Sequence, residues 1–220
     1  YGQVLLEMMP LNEIVLWLAA VGMIFGSVIA IVQSDLKRML AYSSIAQIGY
    51  VFLGIGLYHN LSLIGGLYHV LVHAVMKPLL FMSAGAIIYS TGVRHVKQLA
   101  GIGRVLPIVM LAFAIGGASM IGIPGTGGLI SKWYLVLGSL DVGRPIFVAV
   151  ILLSSLLNAG YFLPIIVSAF MHEETTEYEV KPVPRSMLAA LIAGAAAIIL
   201  LGVASRPVIV LLEEALLLYF

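Results

Sequence analysis

The sequence predicts an all-α polytopic membrane protein of about six transmembrane segments, one of them broken. Three observations carry this reading. Of the 220 residues, 62% are hydrophobic and 10% are charged, against about 25% charged in ordinary globular domains. Apolar runs of about 20 residues, the length that crosses a bilayer, fill nearly the whole chain. One further run is too long for a single crossing and is interrupted by glycine and proline.

The elements follow in order. Residues 1–11 form an N-terminal segment that begins YGQVLLEMMP, with neither an initiator Met nor a signal-peptide pattern, as expected of a processed or split product. Residues 12–204 form the transmembrane domain. Its first span covers 12–33 and ends before Asp35, Lys37 and Arg38, whose plain reading is an orientation anchor. The second span covers 40–57, and the third covers 61–90. The fourth, 106–140, would measure roughly 52 Å as a continuous helix, too long for one untilted crossing. Its middle reads GIPGTGGLISKWY, so Gly122, Pro124, Gly125, Gly127 and Gly128 should divide it into two half-helices. The fifth and sixth spans cover 146–170 and 186–204, separated by HEETTEYEV, which reads as a solvated loop. Residues 205–220 are too short to cross and carry Glu213 and Glu214, the pattern of an interfacial helix.

Lysine and arginine set the orientation. The loops after the first, third and fifth spans hold Lys37, Arg38, Arg94, Lys97, Arg104, Lys181 and Arg185, while the opposite loops hold Arg144 and Arg206. This asymmetry puts the first set in the cytoplasm and both ends of the chain outside a cytoplasmic membrane.

Composition also excludes functions. There is no cysteine, so this chain alone builds no disulfide, iron–sulfur cluster or thiolate metal site. A formal charge of +1 argues against a nucleic-acid partner, and no phosphate-binding glycine loop occurs. No carboxylate pair or nucleophile constellation marks a catalytic residue. No cofactor is expected in this chain.

Two basic residues fall inside spans. Lysine at mid-membrane costs at least about 2.5 kcal/mol on the insertion scale and is by default functional. Lys77 shares a stripe with His69 and His73 at i, i+4 and i+8, about 12 Å long on one helix face. Taken singly, each histidine could be a helix-packing hydrogen-bonder; three titratable groups on one stripe would be prohibitive if they faced lipid. A zinc pair at i and i+4 lacks a nearby carboxylate or thiolate to complete it, so no metal site is assigned. Pro78 directly follows Lys77 and removes a backbone donor. Lys132 lies four residues beyond the last glycine of the broken span. Irregular backbone at membrane depth needs protein or a water-filled cavity around it, and broken helices are a usual address of transporter sites; the alternative is an ordinary loop with Lys132 snorkelling to an interface. Tyr42, Ser43, Ser44 and Ser131 could lend hydroxyls to a water chain or simply mark close helix packing. Trp17 and Trp133 read as packing or interface residues.

SDLKRMLAYSSIAQIGY from Ser34, then HVLVHAVMKPLLF, GGLISKWYL and LLSSLLNAGYFLPII in that order, closely resemble the second half of the antiporter-like subunits shared by respiratory complex I, Mrp-type cation/proton antiporters and archaeal membrane-bound hydrogenase and sulfane reductase complexes. The resemblance implies the second five-helix repeat plus the final helix of a fourteen-helix fold, without the first repeat. It implies that Lys132 is the lysine of the second broken helix, and that His69, His73 and Lys77 belong to a central hydrophilic axis. Partners would be the lipid bilayer and other membrane subunits, including a chain carrying the first repeat.

The expected function is therefore an ion-translocating subunit, for protons with sodium as the second candidate ion, of a redox-driven or Mrp-type complex, with a non-transporting structural subunit as the alternative. An independent transporter or membrane enzyme is disfavoured. Like charges about 12 Å apart at an effective dielectric of 20 repel by roughly 1.4 kcal/mol, enough to pass a protonation signal between neighbouring sites.

Overall fold

A computed structural model describes residues 11–172 and 180–217. Among them every regular element is helical. The principal helices are α1 (Leu11–Ile31), α2 (Leu36–Gly56), α3 (Asn60–Thr91), α4 (Pro107–Ile121), α5 (Gly127–Asp141), α6 (Pro145–Met171), α7 (Arg185–Val203) and α8 (Arg206–Leu217), with short helical turns at Val96–Leu99 and Ile102–Val105. Five of them, α1, α2, α3, α6 and α7, are long and apolar enough to cross a membrane. The half-helices α4 and α5 supply the broken sixth segment, so the expected fold class holds.

Local chemistry sets most boundaries. Hydropathy starts the second span at residue 40, yet α2 begins at Leu36 because Asp35 caps it, its carboxylate accepting the Arg38 N–H at 2.9 Å. Such a cap satisfies a helix-terminal donor, and it draws Lys37 and Arg38 into the first helical turn. Proline at the first helical position opens α4 and α6, where its missing N–H costs nothing. Pro78 sits inside α3, and α3 stays helical through it from Asn60 to Thr91. HEETTEYEV lies mostly outside the described residues, as do residues 1–10 and 218–220.

The basic segments gather at one end. Leu36 N–H donates to Arg94 O at 3.0 Å, Val96 N–H to Ser34 O at 2.8 Å, and Lys181 N–H to Ser90 O at 2.8 Å. At the opposite end, Arg144 pairs with Glu13, and His59 Nε2 pairs with Asp141 at 2.9 Å. A large apolar core unites α3, α4, α6 and α7 around Tyr68, Met76, Leu80, Phe113 and Phe162, and a smaller one packs α1, α2 and α6 around Met23, Tyr50 and Phe147. The outward faces remain greasy: Leu18, Phe25, Leu156 and Leu200 are each more than half exposed, as suits contact with lipid. Helix α8 rests on α3 with Ile209 buried.

Candidate functional site

The broken segment builds the first half of the site. Gly122 ends α4 with φ +94°, a conformation glycine adopts without penalty. The N–H groups of Gly122 and Ile123 both turn back to Ala118 O at 2.9 Å, which leaves the carbonyls of Met120 and Ile121 pointing beyond the helix end. Gly128 lets α5 approach so closely that a Cβ there would sit 1.8 Å from Ser119 O. Lys132, one turn into α5, fills the space between. Its Nζ donates to Met120 O at 2.7 Å, Ile121 O at 2.9 Å and Ser155 Oγ at 2.9 Å, and lies 4.7 Å from the centre of the Tyr50 ring. Three acceptors match the three N–H donors of an ammonium. The helix C-terminus adds partial negative charge and the ring face a cation–π contact. The snorkelling alternative fails, because Lys132 is 5% exposed.

Lys77 is held by the same pattern from a different helix. Its Nζ donates to Leu40 O at 2.8 Å and Ser43 Oγ at 2.6 Å, both on α2. Ser43 itself donates to Leu40 O at 2.9 Å, so its oxygen lone pairs remain for the lysine. Each buried ammonium thus meets a serine hydroxyl and at least one carbonyl, and, among the described residues, no carboxylate. Hydrogen bonds to a charged donor contribute about 1.5–3 kcal/mol each, which offsets part of the cost of removing the charge from water.

Between the lysines lie aromatic and imidazole rings. The Tyr50 ring sits 5.1 Å from that of His69, and the His69 ring 6.4 Å from that of His73, the two imidazoles stacked at 21°. His69 Nδ1 meets Ser131 Oγ at 2.8 Å, and Ser131 donates its own proton to Gly128 O at 3.0 Å. Ser131 therefore accepts at His69. That assigns the proton to Nδ1 and leaves Nε2 as the bare acceptor, the assignment the hydrogen-bond network dictates. Tyr50 OH shares a 3.3 Å contact with Ser155 Oγ, so Lys132 is joined to His69 through Tyr50 and again through Ser131, its neighbour on α5.

Of the residues expected from sequence, Lys132, His69, His73, Lys77, Ser43 and Ser131 are brought together. The others are not. Ser44 turns its hydroxyl back on Leu40 O at 3.1 Å, Tyr42 packs half-buried against the apolar core, and Asp35, Lys37 and Arg38 sit at the basic end. Sequence reasoning missed Tyr50 and a polar branch on α6. In that branch Asn158 Nδ2 donates to Met120 O at 3.0 Å, while Asn158 Oδ1 accepts from Tyr161 OH at 2.7 Å and Ser27 Oγ at 3.2 Å. Ser154, Asn158 and Tyr161 are spaced three or four apart in an apolar run, a polar stripe that could have pointed to them. Among the described residues no three His, Asp or Glu side chains converge as metal ligands.

Residues 4–158 match the family described as NADH:quinone oxidoreductase/Mrp antiporter, TM. The chain is 50% identical over 162 residues to NADH-quinone oxidoreductase subunit N of Desulforudis audaxviator, covering 74% of this chain and 32% of that protein. It is 33% identical over 198 residues to a Na(+)/H(+) antiporter subunit of Alkalihalophilus pseudofirmus, covering 90% of this chain and 40% of that protein. Among solved structures, a chain of respiratory complex I from Thermus thermophilus superposes with a TM-score of 0.82 at 26% identity, over 93% of this chain and 44% of that one. The chain thus spans about a third to less than half of the length of these relatives.

Proposed function

Because this chain belongs to the NADH:quinone oxidoreductase/Mrp antiporter transmembrane family, we propose that it is an ion-translocating part of a larger redox-driven or Mrp-type membrane complex. It moves protons, with sodium as the second candidate ion, through Lys132, His69, His73 and Lys77 with the help of ordered water. The observation that carries this reading is the pair of buried lysines, each held by carbonyls and a serine hydroxyl, with Tyr50 and two imidazoles between them.

Physical chemistry favours relay over packing. An ammonium bound by neutral oxygens has no counter-charge beside it to fix its proton. Imidazole carries a donor and an acceptor on opposite edges, so a proton taken at one nitrogen can leave from the other. In this reading the basic end of the bundle faces the cytoplasm of a cell membrane, Lys132 serves the outer side, and His69, His73 and Lys77 carry the central steps. The partners are other membrane subunits of the complex.

The test is ion transport by the parent complex in sealed proteoliposomes, with internal pH and sodium monitored separately for native protein and Lys132→Met. Loss of the gradient with the complex still assembled supports translocation and identifies the ion. Unchanged gradients favour a structural subunit instead.

A further inference from the structure

One fully buried side chain of the axis still lacks a role. Gln47 is 0% exposed, and among the described residues neither its Nε2 nor its Oε1 meets a partner; the buried Nε2 atoms of His69 and His73 are likewise unmatched there. Buried polar groups are nearly always hydrogen-bonded, and leaving one unmatched is costly.

Helix register brings these atoms together. On α2, Gln47 stands between Ser43, which meets Lys77, and Tyr50, whose ring meets His69. On α3, His73 stands midway between His69 and Lys77. The two helices run antiparallel across these contacts, and residues three or four apart share a helix face. Gln47 therefore lies on the α2–α3 interface at the level of His73. Four unmatched polar atoms within about one helical turn of each other can supply the two to four partners that an internal water molecule requires.

We propose that Gln47, His69 and His73 form a buried hydration site between α2 and α3, and that Gln47 is the positioning residue that orients its water. The polarity of the site is set at one edge. His69 Nε2 is an acceptor because Nδ1 is committed to Ser131, so a water there turns a proton toward it. The Gln47 amide, with two donors and an acceptor oxygen, donates to the oxygen of that water and accepts a hydrogen bond from the next. Water ordered this way joins the Tyr50–His69 end to the His73–Lys77 end without a second charged residue. The hydration site stands on geometry alone; its importance for transport rests on the function proposed above.

The experiment uses the intact parent complex. Brief X-ray irradiation generates hydroxyl radicals from water, and those formed at ordered internal water mark adjacent side chains, read by mass spectrometry. Native protein should be marked at Tyr50 and at His69 or His73. Gln47→Met, similar in length but apolar, should lose these marks and slow proton uptake by proteoliposomes about tenfold with the complex assembled. Gln47→His, which keeps a donor and an acceptor, should restore both. Absence of the marks in native protein overturns the proposal. So does Gln47→Met with marks retained, whether transport is normal or lost. If the marks behave as expected but Lys132→Met leaves ion gradients unchanged, the hydration site stands and the translocation reading falls.

Discussion

Lys132 and Asn158 converge on a single acceptor: Lys132 Nζ at 2.7 Å and Asn158 Nδ2 at 3.0 Å both donate to the Met120 carbonyl at the break between α4 and α5. The amide, fixed in turn by Tyr161 and Ser27, holds that carbonyl toward the lysine while adding no charge. In the proposed relay, neutrality there lets Lys132 surrender its proton.

Asn158→Asp should therefore be worse than its small change in shape suggests. A carboxylate beside the ammonium forms a buried ion pair whose separation is strongly unfavourable, and it pins Lys132 in the charged state. The expected result is a fall in proton uptake by the reconstituted complex of at least about tenfold, with assembly retained. Uptake at the native rate would show that Asn158 does not set the environment of Lys132.

Adjacent serines should behave in opposite ways. Ser43 accepts from Lys77, whereas Ser44 bonds only to its own helix. Ser43→Ala removes a hydrogen bond to a buried charge, worth about 1.5–3 kcal/mol, and should slow ion transport. Ser44→Ala should leave it unchanged within error. Equal effects from the two would contradict the assignment of Ser43 to the axis.

Gly128 should tolerate no side chain. The 1.8 Å approach of its Cβ direction to Ser119 O means that Gly128→Ala must push α5 from α4, at a cost of roughly 1–3 kcal/mol or more. A lowered thermal midpoint of the complex, accompanied by impaired transport, is expected. An undiminished midpoint would mean the half-helices are less tightly joined than the structure shows.

Much of this architecture is legible in the sequence, for uneven reasons. Lys132, His69 and Lys77 are conspicuous because a titratable group in an apolar run is too costly to occur idly, and the glycine cluster announces the break from Gly122 to Gly128. Asp35 moves the start of α2 four residues ahead of the apolar boundary, since a cap is a hydrogen bond and hydropathy does not register it. Ser43 and Ser44 differ by one position and about 100° of helix rotation, which no apolar pattern resolves at that spot. The ligands of Lys132 are the least visible. Two are backbone carbonyls of Met120 and Ile121, which no side chain encodes, and the third, Ser155, resembles the many serines that merely ease helix packing. Gln47 stands inside a recognised motif, but its significance emerges only once Tyr50 and Ser43 fix the register around it.

The central claim is that both buried lysines serve one path. Its most direct test is proton uptake by the parent complex in sealed proteoliposomes carrying Lys77→Met, Lys132→Met or both, with assembly checked for each. A single path requires that either substitution alone abolish uptake as fully as the pair, because the effects of residues acting as a unit do not add. If each single substitution leaves a substantial fraction of uptake and only the double variant loses it all, the lysines serve separate routes and the account is wrong.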